Sequence, residues 1–119
     1  MINGTCLCGN VSFTFDGSPE KLVNCNCTAC RRYRGLWAHG PLENITITEN
    51  GPAIRYTRGD ESLAFVTCAT CGCTTHWEPV NEETSPGFMA VNMALAEPAD
   101  IKDIRVRLFD GFDSWEFLD

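Results

Sequence analysis

The sequence predicts one mainly β domain of mostly antiparallel strands, and three observations carry that expectation. Apolar residues recur with a period of two, turn signals separate the apolar stretches, and 119 residues suffice for a single hydrophobic core. Val11, Phe13 and Phe15 alternate with Ser12 and Thr14, and Ile45 and Ile47 alternate with Thr46 and Thr48, so each stretch offers one apolar face. Further strands are expected over residues 54–58, 63–67, 89–95 and 104–109, where Val106 and Leu108 alternate with Arg105 and Arg107. Turns are expected at Asp16-Gly17-Ser18-Pro19, Glu49-Asn50-Gly51-Pro52, Arg58-Gly59-Asp60 and Asp110-Gly111. Helix signals are confined to two short segments. Thr28 is placed to cap a turn through Cys30 to Tyr33, and Pro98 to open one through Lys102. Residues 82–87 read as an exposed loop, and no repeat, low-complexity tract or linker divides the chain, so 1–119 is expected to be one domain.

Hydrophobic residues make up 44% and charged residues 21%, which argues against bulk disorder and a fibrous role. The formal charge of −7 argues against nucleic acid as a partner, because phosphate contacts need concentrated Lys and Arg. Arg31, Arg32 and Arg34 are the basic exception and read either as a solvated face or as an anion site. The longest apolar runs, such as residues 88–91, are too short for a bilayer, and residues 1–10 lack the basic and apolar regions of a signal peptide. These readings place the protein in the cytoplasm, with no membrane partner. Eight cysteines in a reducing compartment are metal ligands or redox centres more often than disulfides.

Cys6 and Cys8 stand two apart, so an extended edge would put both thiols on one face. Cys68-x-x-Cys71-Gly72 lets two thiolates grip one tetrahedral ion while the glycine permits a tight backbone. Together they make a Cys₄ set, the closed arrangement of a structural zinc site, tying the N-terminal strand to a segment sixty residues later. Cys25, Cys27 and Cys30 bring three thiolates within six residues. Zinc takes at least four donors, so this triplet recruits water, another side chain or an outside ligand such as a small thiol. Cys73, His76 and His39 are the protein groups that would close it. Three roles are open to Cys73: completing the triplet, redox chemistry, or burial beside the structural zinc. His76 reads as a packed ring or a ligand, and His39, beyond Trp37 in a glycine-flanked stretch, as a pocket residue.

Gly4-Thr5-Cys6-Leu7-Cys8-Gly9-Asn10-Val11, Cys25-Asn26-Cys27-Thr28-Ala29-Cys30 and Cys68-Ala69-Thr70-Cys71-Gly72 together resemble the glutathione-dependent formaldehyde-activating enzyme family, which shares its domain with centromere protein V. The resemblance spans essentially the whole chain. It implies the Mss4-like fold, a zinc-containing antiparallel β architecture, with a structural zinc on Cys6, Cys8, Cys68 and Cys71 and a second zinc on Cys25, Cys27 and Cys30. It also implies the family's reaction, glutathione joining formaldehyde to give S-hydroxymethylglutathione, a carbon–sulfur lyase activity in the reverse sense. One departure stands out: Cys73, Thr75, His76 and Trp77 follow the last cysteine pair where many relatives carry an apolar continuation, as in a distinct branch.

Two functions from different classes follow. As a zinc-dependent carbon–sulfur lyase, the protein would admit glutathione or a related thiol to the second zinc and add it to formaldehyde or another small aldehyde. Arg31, Arg32 and Arg34 would bind the thiol's carboxylates, and Trp37 and His39 would stand in the pocket. Leu36, Trp37 and Phe88 would supply its apolar lining or equally belong to the core, and Leu36 reads as core before lining. As a non-catalytic structural module, both zincs would staple a small β domain that binds another protein. A redox or nucleic-acid role is disfavoured, because redox C-x-x-C motifs expect a βαβ context.

Overall fold

The computed structural model describes residues 1–57, 62–81, 83 and 86–119. The alternating stretch Val11–Phe15 forms strand β2, which pairs antiparallel with β1 (Ile2–Thr5) and β5 (Ile45–Glu49). In that three-stranded sheet Phe13 lies opposite Gly4 on one side and Ile47 on the other. The Phe13 ring occupies the space that a side chain at residue 4 would need, so only glycine fits there.

Among the described residues the second sheet has seven strands. In chain order they are β3 (Leu22–Cys25), β4 (Trp37–Pro41), β6 (Ala53–Thr57), β7 (Leu63–Cys68), β8 (Thr74–Pro79), β9 (Phe88–Asn92) and β10 (Val106–Phe109). Their spatial order is β10-β3-β4-β9-β8-β7-β6. All neighbours are antiparallel except β10, which runs parallel to β3 with Phe109 opposite Cys25. The long path back from β3 to the sheet edge permits that parallel return, which strand periodicity alone does not reveal.

Alternation across the large sheet divides its residues between two faces. One face packs on the small sheet: Leu22, Ala38, Met89 and Val91 meet Ile2, Phe13, Phe15 and Ile45 in the main core. The other carries Val23, Trp37, Phe65, Trp77 and Ala90, a second buried cluster. Burying each large apolar side chain is worth roughly 1.5–3 kcal/mol, so both faces contribute to stability. Arg55 of β6 joins the sheets as well, pairing with Glu49 of β5 and with Glu78 of β8. His76 is fully buried; its Nδ1 lies 2.7 Å from the Thr75 hydroxyl and its Nε2 3.3 Å from Glu78 Oε2.

Several expected boundaries shift. The strand expected over 89–95 ends at Asn92, whose side chain accepts from Ala94 N–H and opens a 3₁₀ turn, Met93–Leu95. The last strand begins at Val106 instead of residue 104. Helix α1 spans Cys30–Tyr33, but its N-cap is Ala29 and no side chain caps it. Thr28 takes no capping role, because the first free N–H, that of Cys30, is already given to Cys27 Sγ at 3.3 Å. Pro98 does open α2, Pro98–Ile101. Strands β1, β3, β4 and β8 were not expected from periodicity. The Arg58-Gly59-Asp60 turn, Arg58 in the 54–58 strand, and residues 82, 84 and 85 of the expected loop lie outside the described residues. Among the described residues no helix is long and apolar enough to cross a membrane.

Candidate metal centres and the cavity beside the second

Cys6 and Cys8 lie in the turn between β1 and β2 instead of along an extended edge. Gly9 N–H bonds to Cys6 O at 3.1 Å with Gly9 at φ +88°, and Gly72 N–H bonds to Cys68 O at 2.9 Å with Gly72 at φ +84°. Each cysteine pair is therefore closed by a glycine in the left-handed region. These turns bring Cys6, Cys8, Cys68 and Cys71 together with all four sulfurs within 4.8 Å of one another. The Cys6–Cys8 and Cys8–Cys68 sulfur separations are 3.7 and 3.5 Å. A tetrahedral zinc with bonds of about 2.3 Å needs sulfurs about 3.8 Å apart, so the set fits that ion.

Backbone donors point at these sulfurs. Val11 N–H reaches Cys6 Sγ at 3.3 Å. The N–H groups of Cys73 and Cys8 hold Cys71 at a pKa of about 5, a thiolate without further help. Cys8 is pushed up to about 12 in spite of the Asn10 N–H, by desolvation and then by neighbouring sulfurs that ionise first. Cys73 is half-buried and packs against Cys6, Val11 and Cys68. It stands beside the first cluster and outside the second.

The triplet forms where β3 ends and α1 begins. Cys25 closes the strand, Cys30 opens the helix, and the sulfurs of Cys25, Cys27 and Cys30 lie within 4.8 Å of one another. Cys27 N–H is 3.4 Å from Cys25 Sγ, so backbone donors again face sulfur. Burial works against ionisation at all three and raises Cys25 and Cys30. At Cys27 the Cys30 N–H and the other two thiols outweigh it and lower the pKa. Among the described residues no fourth Cys, His, Asp or Glu donor joins the three sulfurs. His76 is engaged by Thr75 and Glu78, Cys73 packs with the other cluster, and His39 lines the cavity described next without joining the three sulfurs.

That cavity measures about 670 Å³ and occupies the second face of the large sheet. Alternate residues of adjacent strands build its floor: Val23 and Cys25 of β3, Trp37 and His39 of β4, Leu63 and Phe65 of β7, Trp77 of β8 and Phe88 of β9. Phe65 lies opposite Trp77, Trp77 and His39 lie opposite Ala90, and Trp37 lies opposite Val23, so the ladder register brings them side by side. All three triplet cysteines line the same space. His39, Trp77 and Phe88 meet edge to face with centroids 5.6–5.9 Å apart. Desolvation and the Lys21 ammonium lower the pKa of His39.

Of the residues expected at a substrate site, Trp37, His39 and Phe88 line the cavity, whereas Leu36 packs against the inter-sheet core. Arg31 and Arg32 are exposed on α1 and are not part of the lining; Arg32 Nη1 is 2.7 Å from Thr28 O. The C-terminal segment, which sequence reasoning missed, supplies Phe109, Gly111, Trp115 and Phe117. Asn26 staples it to the triplet loop: Asn26 Nδ2 donates to Asp110 Oδ1 at 3.0 Å, and Phe112 N–H donates to Asn26 Oδ1 at 2.9 Å. A Cβ at Gly111 would stand 2.7 Å from Cys25 Sγ. The readable signal was four aromatic residues between 109 and 117 in an acidic tail whose strand accounts for only one of them.

Two cysteine clusters that could each hold a metal ion, one inside the scaffold and one beside a cavity, define a mainly β metal-site protein. The comparisons with known proteins give the family. A model of the family described as glutathione-dependent formaldehyde-activating enzyme matches residues 1–109, and the chain belongs to that family. Its fold is similar to the crystal structure of a Rhodobacter sphaeroides protein, with a TM-score of 0.68 at 24% identity over 87% of this chain and 98% of the other. No curated protein matches the chain.

Proposed function

We propose that the chain, as one zinc domain over residues 1–119, binds two zinc ions and joins a small thiol, glutathione or a relative of it, to formaldehyde or another small aldehyde. Cys6, Cys8, Cys68 and Cys71 hold the structural ion, and Cys25, Cys27 and Cys30 the second. The observation that carries this reading is the triplet's position in the wall of a cavity of about 670 Å³, with three sulfurs and no fourth protein donor among the described residues. Zinc at such a site supplies acidification of an incoming thiol. The chain's own part is to anchor the site with three thiolates, to exclude water with aromatic walls, and to place His39 as a proton acceptor facing the cavity. The thiolate sulfur attacks the carbonyl carbon, a C–S bond forms, the C=O π pair moves to oxygen, and that oxygen takes a proton to give the hemithioacetal. Run backwards, this is a carbon–sulfur lyase. All eight cysteines are free, which suits the reducing cytoplasm where we place the protein.

Zinc per chain, measured by elemental analysis with and without glutathione, tests the metal assignment. Adduct formation from glutathione and formaldehyde above the spontaneous background tests the chemistry. Cys27→Ser should abolish the excess rate and leave the fold intact. One zinc per chain, indifferent to glutathione, would remove the second site from the reading. A non-catalytic interaction module has one observation in its favour: Val106 and Leu108 are exposed on edge strand β10 beside exposed Phe112 and Leu118. Global unfolding of Cys27→Ser would favour that alternative.

A further inference from the structure

We propose that the aldehyde this cavity selects carries a flat apolar body, as an aromatic or conjugated aldehyde does, in preference to formaldehyde. The inference deepens the reading above and rests on it for the thiol–aldehyde chemistry.

Size is the first argument. Formaldehyde has two heavy atoms and displaces on the order of one or two waters, whereas about 670 Å³ is the volume of a site for a ligand many times larger. Charge is the second. Glutathione carries two carboxylates and an ammonium, but among the described residues the only ionisable lining groups apart from the cysteines are Lys21 and His39. The thiol's charged ends therefore stay toward solvent at the mouth, and the inner wall is left for an apolar group. The mutual edge-to-face contacts of His39, Trp77 and Phe88 form a surface on which a flat body can stack.

The rim adds aromatic surface of its own, with the Trp115 ring edge to face with Phe109 at 5.5 Å. Trp115, at the rim, is 72% exposed and held at φ +58°, a region that disfavours a bulky residue. Its N–H bonds to Asp110 O, and the Asp110 carboxylate receives the N–H groups of Asp113 and Ser114, so the turn is fixed with the indole against the opening. Gly111, Trp115 and Phe117 of the lining lie beyond residue 109, where the family match ends.

All three tryptophans, Trp37, Trp77 and Trp115, line the cavity, so their emission reports occupancy directly. The zinc-loaded protein is titrated with 2-naphthalenemethanol, which has the flat body and no carbonyl, and with formaldehyde hydrate as the small counterpart. Saturable change is expected with the naphthyl alcohol only, weakened at least about tenfold in Trp115→Ala and in Phe88→Ala, two partly exposed positions where the fold should survive. In the presence of glutathione, 2-naphthaldehyde should exceed formaldehyde at least about tenfold in kcat/KM, each taken relative to its own spontaneous rate. Acceleration of formaldehyde without naphthyl binding would overturn the inference and leave the thiol–aldehyde reaction standing. Saturable naphthyl binding with no adduct from either aldehyde would do the reverse, supporting the apolar occupant and removing the reaction.

Discussion

Replacing Gly111 with alanine should weaken the second metal site and leave the first untouched. A Cβ built at this position stands 2.7 Å from Cys25 Sγ and 3.0 Å from Cys27 Cβ, closer than real Cβ contacts come. Gly111 is absent from the left-handed glycines, so alanine adds no backbone strain and the effect is steric. In the metal-free protein Cys25 can turn its thiol aside within its rotamer wells, at a cost of about 0.5–1.5 kcal/mol at most. In the zinc-bound protein it cannot, because ligand distances tolerate only about 0.2 Å. The zinc affinity of the triplet should therefore fall by about 10–100-fold, the range seen when groups supporting a metal ligand are disturbed. Competition with a chromophoric chelator, resolved into two release steps, measures both sites in one experiment, and thermal unfolding of the metal-free form checks the fold. Two release steps indistinguishable from those of the parent protein would refute the claim that the C-terminal turn bounds the triplet.

Cys68→Ser should reduce zinc to one ion per chain and lower the melting temperature sharply, because the first cluster joins the β1–β2 turn to the end of β7; unaltered melting would show that this cluster does not staple the fold. Glu78→Gln should destabilise by about 1–2 kcal/mol at pH 7, a value kept low because Arg55 is partly exposed. His76 and then Arg55 hold the Glu78 carboxyl at about 2, so its stabilisation is complete above the ordinary carboxyl pKa of about 4.3 and vanishes as pH falls through 2. The gap between variant and parent in denaturant melts at matched pH should shrink below about pH 4; a gap independent of pH would contradict this. Asn26→Ala removes both staples to the C-terminal turn, and amide exchange at residues 110–117 should accelerate while the exchange of β7 and β8 stays as it was.

What could be read in advance, and what could not, follows from how each element is buried. Strands β2 and β5 belong to a sheet with only one face on the core, so Val11, Phe13, Phe15 and Ile45 alternate with polar residues and the period is visible. Strand β8 is central in the large sheet and buried on both faces; Thr75, His76 and Trp77 are consecutive buried residues, and the alternation disappears. Strand β3 has the same difficulty at Leu22 and Val23, while β4 ends in Gly40 and Pro41, which read as turn residues. The cysteine clusters were legible for a different reason. Ligand geometry demands close sequence spacing within each pair or triplet, and four donors for one ion then match the outer pairs across sixty residues.

The cavity has no such local signature, and this difference bears on what the family resemblance can carry. Its walls come from β3, β4, β7, β8, β9 and the C-terminal turn, elements separated by up to about ninety residues and assembled only by the order of strands in the sheet. Cys25, Cys27 and Cys30 specify how a thiol would be activated, a property fixed by three neighbouring side chains. Trp37, Phe65, Trp77, Phe88 and Trp115 specify which partner would fit beside it, a property fixed by tertiary structure. A change of Trp115 or Phe88 can therefore alter the substrate while every cysteine motif stays the same. If the proposed chemistry holds, its reaction class rests on a local motif and its substrate choice on tertiary structure, so the aromatic wall is where substrate choice has to be tested.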